Sequence, residues 1–214
     1  MGKAWLRDRR RDGYYRMAKR LNYRSRASFK IFQIDDRYRI FRPGGLVVDL
    51  GASPGGWSQA AAERVAPNGL VVAVDTATMA PLERVTVLRG DVRSEETRRD
   101  ILGALAGRHP NVVLSDMSPN LAGNASLDQS RSAELAQSAL DVARSLLRSR
   151  GHLVVKIFQG EDFPEFLRQV RADFRFTKAH SPKASRSASS EIYIVAKGYR
   201  GPPGDDSEES ASEE

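Results

Sequence analysis

The sequence predicts an α/β protein built on one mostly parallel sheet with helices on both faces. Short apolar runs alternate with helical segments, which is typical of parallel strands joined by crossover helices. Most of these runs are continuously rich in Val, Leu and Ile, as expected for strands that are covered on both faces. The last two runs have no clear helix between them, so we expect them to form an antiparallel pair at one end of the sheet.

Seven segments are predicted strands. Each is a short run rich in β-branched or aromatic residues and bounded by polar residues, glycine or proline. In chain order they are LVVDL (46–50), GLVVAVD (69–75), VTVLRGD (85–91), NVVLSD (111–116), HLVVKIF (152–158), FRFTKAH (174–180) and EIYIVAK (191–197).

Five segments have the apolar spacing of helices. In the first, Ser25 is a candidate N-cap, and Pro43-Gly44-Gly45 follows the helix and ends it. The five segments are SRASFKIFQIDDRYRIF (25–41), WSQAAAERV (57–65), EETRRDILGALAG (95–107), LDQSRSAELAQSALDVARSLLRS (127–149) and DFPEFLRQVRA (162–172).

Length and composition favour a single domain. The chain has 214 residues, of which 40% are hydrophobic, and no apolar run is long enough to span a membrane. No apolar segment follows the basic N-terminus, so a secretory signal is not predicted. The sequence has no cysteine, which excludes disulfides and thiolate metal ligands, and its three histidines are far apart. We therefore expect a cytoplasmic, monomeric protein without a metal site.

The charge is concentrated at the two ends. The net charge is +7, although the last ten residues contain six acids and no base. Residues 1–30 contain eleven Lys or Arg and two Asp. This pattern favours a nucleic-acid partner, the alternative being a solvated basic face. We expect a basic nucleic-acid-binding segment at 1–24, a folded domain at 25–200 and a disordered acidic tail at 201–214.

Charged residues lie at the predicted carboxyl edge of the sheet. Open α/β sheets bind ligands outside the carboxyl ends of their strands. Each of these residues alone is commonplace, but five together predict a site. They are Asp49, Asp75, Asp91, Asp116 and Lys156.

A glycine-rich turn, VVDLGASPGGW, follows the first predicted strand. Gly51, Gly55 and Gly56 permit close approach of the backbone to a ligand. No Gly-Lys-Ser/Thr follows, so the turn is not a phosphate-binding P-loop. Its spacing also differs from the dinucleotide fingerprint. Trp57 either closes the pocket or packs in the core.

Two acids suggest which ligand the turn binds. Asp75 at the end of the second strand suits ribose hydroxyls, and Asp91 suits an adenine amino group. The acid-rich edge would also attract a cation. These features favour S-adenosylmethionine, with a nicotinamide cofactor as the alternative.

Several segments together resemble the FtsJ-type ribose 2′-O-methyltransferases. The resemblance extends over about residues 10–200. It is strongest to the single-domain enzymes that methylate a uridine ribose of large-subunit ribosomal RNA. The matching segments are DGYYRMAKRLNYRSRASFKIFQID, VVDLGASPGGWSQ, LRGDVRS, VVLSDMSPNLAGN, VVKIFQG and SRSASSEIYIVAKGY.

The resemblance implies a Rossmann-like methyltransferase fold with S-adenosylmethionine as the methyl donor. It implies a Lys-Asp-Lys-Glu catalytic set, carried over by motif. That set is Lys30, Asp116, Lys156 and Glu191. It implies a donor site formed by Gly55, Trp57, Asp75, Asp91 and Asp116. Ser53 and Ser118 stand where the family usually has alanine.

Lys156 is the candidate general base. It interrupts an apolar strand, where an ammonium needs a partner, a solvent opening or a catalytic role. It can accept a proton only as the neutral amine, which burial and a nearby Lys30 favour. The alternative is a structural ion pair with Asp116.

The substrate implied is ribosomal RNA or the large ribosomal subunit. Arg24 and Arg26 are candidate RNA contacts, and Tyr14, Tyr15 and Tyr23 either stack on bases or cover the domain. Two alternatives remain at this stage, a transfer-RNA ribose methyltransferase and a non-catalytic ribosome-assembly factor that binds RNA.

Overall fold

A computed structural model describes residues 12–186 and 189–201. Its strands are β1 (Leu46–Leu50), β2 (Leu70–Asp75), β3 (Val85–Arg89), β4 (Val112–Ser115), β5 (His152–Phe158), β6 (Phe174–His180) and β7 (Glu191–Tyr199). Its helices are α1 (Gly13–Arg20), α2 (Ser28–Tyr38), α3 (Gly56–Val65), α4 (Glu95–Ala104), α5 (Ala125–Leu146) and α6 (Phe163–Asp173).

The strands form one seven-stranded sheet in the order β3-β2-β1-β4-β5-β7-β6. The pairs from β3 to β5 are parallel, and β7 is antiparallel to both β5 and β6. The predicted fold class, with its one antiparallel strand, is therefore confirmed. The chain moves outward in opposite directions from β1 and β4, so the crevice for a ligand lies at their carboxyl ends.

Helices cover both faces of the sheet. On one face α4, α5 and α6 contribute Ile101, Leu140 and Phe166 to a core cluster with the strands. On the other face α2 and α3 contribute Ile31 and Ala60 to a second cluster. This burial of apolar surface on both sides is what makes the central strands continuously hydrophobic.

The first long helix differs from its prediction at the N-terminus. It begins at Ser28, and its N-cap, Ala27, makes no side-chain hydrogen bond. Ser25 therefore does not cap it; instead the Ser28 hydroxyl donates to the carbonyls of Ser25 at 3.0 Å and Gly56 at 2.8 Å. Helix α1, which was not predicted separately, is capped by Asp12, whose carboxylate accepts from the Tyr15 amide.

Two carboxylates differ from the predicted row at the sheet edge. β3 ends at Arg89, so Asp91 follows it in a turn instead of ending the strand. Asp49 lies inside β1 and is 1% exposed. It therefore belongs to the interior, beneath the edge, because the strand continues to Leu50.

Within residues 12–186 and 189–201, no helix has the length and apolarity needed to cross a bilayer. The same residues contain no cluster of three His, Cys, Asp or Glu side chains suited to a metal ion. The acidic tail predicted at 201–214 lies, beyond residue 201, outside the described residues, as do residues 1–11 of the basic segment.

Candidate active site

A cavity of about 650 Å³ lies at the carboxyl ends of β1, β2 and β4. Its size falls within the usual range for small-molecule sites. Three carboxylates, those of Asp75, Asp91 and Asp116, line it. We call it the donor cavity. Its other lining residues are Gly51, Ser53, Thr76, Gly90, Val92, Arg93, Met117, Ser118, Pro119, Asn120, Leu135 and Ser138.

Gly51 allows the cavity to form where β1 and β4 end. Its φ is +69°, and a Cβ there would lie 2.3 Å from Met117 Cγ. A side chain at this position would therefore strain the backbone and press on the segment after β4. The predicted role of this glycine in close approach is consistent with that geometry.

Asp75 is held in place by two backbone amides. Its carboxylate accepts hydrogen bonds from Ser53 N at 2.9 Å and Ala77 N at 2.8 Å. These bonds join the glycine-rich turn to the end of β2. The carboxylate is thus fixed at the wall of the donor cavity, where it suits a diol.

Asp91 is paired with an arginine that also lines the donor cavity. The Arg93 guanidinium donates to Asp91 Oδ1 at 3.0 Å and to Asp91 Oδ2 at 2.6 Å. These hydrogen bonds lower the pKa of Asp91 to about 2. The Asp91 carboxylate is therefore ionised, and a ligand amine that bound it would meet Arg93 as a competitor.

Asp49 lies in the interior beneath this cavity. Its carboxylate accepts a hydrogen bond from the Ser58 hydroxyl at 2.6 Å. Burial raises the pKa of Asp49 to about 7, although the Ser58 hydrogen bond opposes this. Asp49 therefore joins β1 to α3 through Ser58. Because its side chain is buried beneath the sheet edge, it does not contact a ligand in the donor cavity.

Trp57 and Gly55 are not among the residues that line the donor cavity. The indole is 3% exposed, its N–H donates to Ala27 O at 2.9 Å, and its ring lies 5.6 Å from that of Tyr193. The indole therefore packs in the core, as the second of the two expectations for this side chain had it. The assignment of Trp57 and Gly55 to the donor site stays a prediction. Gly55, with φ +108°, packs behind the turn against Arg24 and Leu82.

Lys156 and Asp116 form an ion pair in which the lysine is buried and the acid is half-buried. Lys156 Nζ lies 3.0 Å from Asp116 Oδ1 and donates to Asp116 O at 2.7 Å. The lysine is only 6% exposed. β5 places it beside β4, so the two residues meet because their strands are neighbours.

Lys30 and Glu191 form a second pair close by. Lys30 Nζ donates to Glu191 Oε1 at 2.6 Å and to the Tyr193 hydroxyl at 3.0 Å. Burial by itself would raise the pKa of Glu191, but the charge and hydrogen bond of Lys30 outweigh it and lower that pKa. α2 and the start of β7 therefore present an ionised pair.

Tyr193 joins the two pairs, and sequence reasoning missed it. Its hydroxyl donates to Asp116 Oδ1 at 2.7 Å and accepts from Lys30. Burial first, and then the carboxylates of Asp116 and Glu191, raise its pKa well above the ordinary value. A signal did exist, since Tyr193 lies two residues from Glu191 and therefore shares its face of the strand.

A second cavity of about 310 Å³ lies beside Lys30 and Glu191. We call it the outer cavity. Ser118 lines both cavities, so they adjoin at the loop after β4. The outer cavity is lined by Arg26, Ala27, Lys30, Ser118, Leu121, Phe158, Arg186, Ser189 and Glu191.

The network from Lys156 to Glu191 lies between these cavities. Asp116 lines the donor cavity at one end, and Lys30 and Glu191 line the outer cavity at the other. The structure thus brings together all four residues of the predicted catalytic set. Lys156 itself lines neither cavity; it is connected to the donor cavity through Asp116.

Two tyrosines of the N-terminal segment pack on the domain. The Tyr14 hydroxyl accepts a hydrogen bond from Gln33, and the Tyr23 hydroxyl donates to Glu63. Both rings contact Phe29, at centroid distances of 5.6 and 5.7 Å. For these two tyrosines the covering alternative is correct. Lys19 Nζ lies 5.4 Å from the centre of the Tyr15 ring.

Arg24 and Arg26 are both bound to other parts of the protein. The Arg24 guanidinium donates to the carbonyls of Pro54 at 3.2 Å, Ala80 at 2.7 Å and Pro81 at 2.6 Å. Arg26 pairs with Asp12 and donates to the Ala184 carbonyl, yet it still lines the outer cavity. Arg24 therefore fixes two loops behind the donor cavity, a role that the sequence did not predict.

Known proteins resemble the chain over nearly its full length. The model of the FtsJ-like methyltransferase family matches residues 23–199. Ribosomal RNA large subunit methyltransferase E of Methanothermobacter thermautotrophicus is 43% identical over 203 residues, covering 94% of this chain and 96% of that protein.

Solved structures share the fold. A Plasmodium falciparum protein described as a ribosomal RNA methyltransferase superposes with a TM-score of 0.77 at 24% identity, covering 84% of this chain and 100% of that chain. Human methyltransferase-like protein 13, solved in complex with S-adenosylhomocysteine, superposes with a TM-score of 0.53 at 13% identity, covering 76% and 74%.

The family match and the site geometry lead to the same conclusion. The matched range includes all seven strands and both lysine–acid pairs. The 43% identical relative independently extends over almost the whole of both chains. This chain belongs to the FtsJ-like methyltransferase family.

Proposed function

We propose that the protein transfers a methyl group from S-adenosylmethionine to a ribose 2′-hydroxyl of large-subunit ribosomal RNA. The observation that carries this proposal is the Lys156–Asp116 ion pair, in which the lysine is buried and the acid lines the donor cavity. Family membership supports the methyltransferase activity and its donor. The relative named ribosomal RNA large subunit methyltransferase E supports the RNA class.

The residues of the donor cavity suit S-adenosylmethionine. Asp75 is fixed where it can accept from ribose hydroxyls, and Asp91 can accept from the adenine amino group once Arg93 is displaced. Asp116 adds negative charge for the cationic part of the ligand. Gly55 and Trp57, on the same turn and at the start of α3, are proposed to complete the donor site, as the family resemblance implies. A bound donor would supply an electrophilic methyl group, carried on a sulfonium sulfur, to the ribose oxygen.

Lys156 is the proposed proton acceptor. In its neutral form the amine has two N–H groups and one lone pair. Asp116 O at 2.7 Å and Asp116 Oδ1 at 3.0 Å can accept both N–H groups. The lone pair is then directed away from Asp116 and can take the proton of a 2′-hydroxyl. The ammonium that results is stabilised by the same carboxylate.

Lys30, Glu191 and Tyr193 are proposed as positioning groups. Glu191 neutralises Lys30 at 2.6 Å, so Lys30 adds little net charge beside Lys156. Tyr193 fixes the Asp116 oxygen that contacts Lys156. Holding the amine and hydroxyl in a reactive geometry is itself a large part of such a rate enhancement.

The comparisons bear on the alternatives. Membership of the methyltransferase family sets aside a nicotinamide oxidoreductase. Two alternatives are left to experiment: methylation of transfer RNA in place of ribosomal RNA, and a ribosome-assembly role without catalysis. We further propose that a uridine is the target and that the enzyme acts as a monomer in the cytoplasm, which the absence of cysteine supports.

We propose that the chain consists of a basic N-terminal segment, a methyltransferase domain and an acidic tail. Residues 25–200 hold both cavities and every strand. Residues 1–24 are proposed to add positive charge for RNA, and residues 201–214 to be an acidic tail.

The function is tested by methyl transfer to purified RNA. The full-length protein is incubated with radiolabelled S-adenosylmethionine and with large-subunit particles, free large-subunit RNA or transfer RNA. The labelled nucleotide is then mapped through its resistance to alkaline cleavage. We expect one labelled ribose in large-subunit RNA. Label in transfer RNA alone, or in no RNA, would contradict the proposal.

A further inference from the structure

Aromatic side chains form a partly exposed surface where the end of α2 meets β6. Among the described strands, β6 is last in the sheet order and pairs only with β7. Phe176 on β6 is 45% exposed, and its ring lies 6.2 Å from that of Tyr38, the last residue of α2. The Tyr38 ring also lies 5.4 Å from that of His180. Three rings from two elements therefore lie side by side at the edge of the sheet.

Cationic side chains surround these rings. The Arg37 guanidinium lies 5.6 Å from the centre of the Tyr38 ring. Lys197 lies opposite Phe176 in the β6–β7 register, and its Nζ donates to Tyr38 O at 2.8 Å. Lys178 is exposed and lies two residues after Phe176, so the two share one face of β6. We call this group the flank surface. Its members are Arg37, Tyr38, Phe176, Lys178, His180 and Lys197.

The positive charge of the flank surface is not neutralised by neighbouring acids. Within residues 12–186 and 189–201, none of Arg37, Lys178 and Lys197 forms an ion pair. Arg64, on the same side of the sheet, differs in that it pairs with two acids of α2. A group of cations without internal partners attracts a polyanion.

Charged residues on an edge strand have a second known role, because they oppose pairing with another sheet. Lys178 fits that role as well. Phe176 does not, since an exposed aromatic residue on an edge strand promotes contact with other molecules. Aromatic rings beside cations are the combination that stacks on the bases of RNA and contacts its phosphates. Edge protection alone therefore leaves Phe176 unexplained, whereas RNA accounts for both kinds of side chain.

We infer that the flank surface binds large-subunit ribosomal RNA outside the target nucleotide. A base stacks on Phe176, and Arg37 and Lys178 contact phosphates. None of the six residues of the flank surface lines the donor cavity or the outer cavity. The inference rests on the proposed function for the identity of the RNA, and it adds a second contact surface that the reaction itself does not require.

The strand register connects the flank surface to the active site. His180 lies opposite Tyr193, whose hydroxyl donates to Asp116. Phe176 lies four residues from His180 on the same strand, a distance of about 13 Å at a rise of about 3.3 Å per residue. One RNA segment can therefore place a ribose near Asp116 and a base on Phe176 with only a few nucleotides between them.

The acidic segment 205–214 of this chain is an alternative occupant. It contains six acids and no aromatic residue. It would therefore pair with Arg37 and Lys178 but would offer no ring to Phe176 and Tyr38. RNA matches the aromatic and the cationic side chains together, so the observations favour RNA.

The first test measures binding of the full-length protein to free large-subunit RNA by filter binding at several salt concentrations. We expect Lys178→Gln to weaken binding and to reduce the slope of log K against log salt by about 0.7–0.9, the value for one phosphate contact. Arg99→Gln is the matched control. It removes the same charge from an exposed position on α4, which packs beside β3 at the other end of the sheet, and should leave the slope unchanged.

The second test separates stacking from charge. Phe176→Ala should raise the Kd for the same RNA about tenfold, as loss of one stacked base does, without changing the salt slope. Phe176→Tyr keeps an aromatic ring and should bind as the wild type does. Binding of S-adenosylhomocysteine, measured by calorimetry, should stay at the wild-type value in every variant, which a general loss of structure would not allow.

The outcomes distinguish this inference from the proposed function. If the wild type methylates ribosomal RNA while Phe176→Ala and Lys178→Gln bind it as tightly as the wild type does, the inference is overturned and the proposed function stands. Tighter RNA binding by Lys178→Gln would show that the acidic segment occupies the surface, and would also overturn the inference. If the wild type methylates no ribosomal RNA, the proposed function fails, whereas weaker binding by both variants would still support an RNA-binding surface on β6.

Discussion

The hydroxyl of Tyr193 donates a 2.7 Å hydrogen bond to the carboxylate of Asp116, the same oxygen that contacts Lys156. It also accepts a hydrogen bond from Lys30 at 3.0 Å. One buried phenol thus connects two lysine–acid pairs from α2, β4, β5 and β7. Lys156, the proposed base, is therefore oriented by a network of side chains, which constrains its amine more than an ion pair with Asp116 alone would.

Tyr193→Phe is expected to lower kcat about tenfold, because it removes one hydrogen bond to a charged group and keeps the ring. The KM for the donor should not change. Tyr199→Phe is the matched control, since the Tyr199 hydroxyl donates to Arg144 O at 3.0 Å away from both cavities. Steady-state kinetics check this; equal kcat values for the two variants would show that Tyr193 has no positioning role.

Arg24→Lys is expected to weaken donor binding several-fold without a change in RNA affinity. A lysine has no planar fork to reach the carbonyls of Pro54, Ala80 and Pro81 together, so both loops would loosen. Calorimetry with S-adenosylhomocysteine measures the first quantity, and filter binding of RNA measures the second.

Arg16→Gln on α1 serves as the control for Arg24→Lys, because it should change RNA binding and not donor binding. Loss of a basic side chain from the N-terminal segment should weaken RNA binding in a salt-dependent way and leave the donor affinity as it is. If Arg24→Lys weakened RNA binding and spared the donor, Arg24 would be an RNA contact, as first predicted from the sequence.

Asp49 is expected to make stability fall as pH rises. In the unfolded chain this carboxyl loses its proton near its ordinary pKa of 3.8, whereas burial raises the folded pKa to about 7. Between pH 3.8 and about pH 7 the folded state binds more protons than the unfolded state does. The stabilising contribution of Asp49 is therefore complete below pH 3.8 and is lost as the pH rises to about 7. Asp49→Asn, which keeps an acceptor for Ser58, should lack this loss.

The measurement is the free energy of unfolding in urea at about pH 5 and about pH 8 for both proteins. The wild type should lose more stability over this interval than Asp49→Asn does. Other titrating groups are common to both and cancel in the difference. An equal loss in the two proteins would mean that Asp49 is already ionised in the fold at the lower pH.

The sheet was predictable because its strands are buried on both faces. Apolar runs such as LVVDL and HLVVKIF leave few alternatives to covered strands, and the helices between them require parallel crossovers. The boundaries of the elements were less predictable. The first long helix begins at Ser28, whose hydroxyl donates a hydrogen bond to the carbonyl of Gly56. No local pattern contains information on a contact between residues so far apart.

The site was predictable where one residue broke a pattern. Lys156 interrupts an apolar strand, and this is visible in the sequence alone. Tyr193 fits its strand as well as any aromatic residue does. Its spacing of two residues from Glu191 was a weak signal in the sequence, and the register opposite Lys156 shows its place in the network. Arg24 was predicted to contact RNA because it lies in a basic segment; no pattern in the sequence shows that three backbone carbonyls, those of Pro54, Ala80 and Pro81, bind its guanidinium.

The most direct test of the account is single-turnover methyl transfer by Lys156 variants with the donor prebound. Lys156→Arg retains a positive charge beside Asp116 but cannot accept a proton. Lys156→Ala removes both properties. We expect each to slow transfer by about 10²–10⁴-fold while S-adenosylhomocysteine still binds. Transfer by Lys156→Arg at the wild-type rate would contradict the account, because the lysine would then be only a structural partner of Asp116.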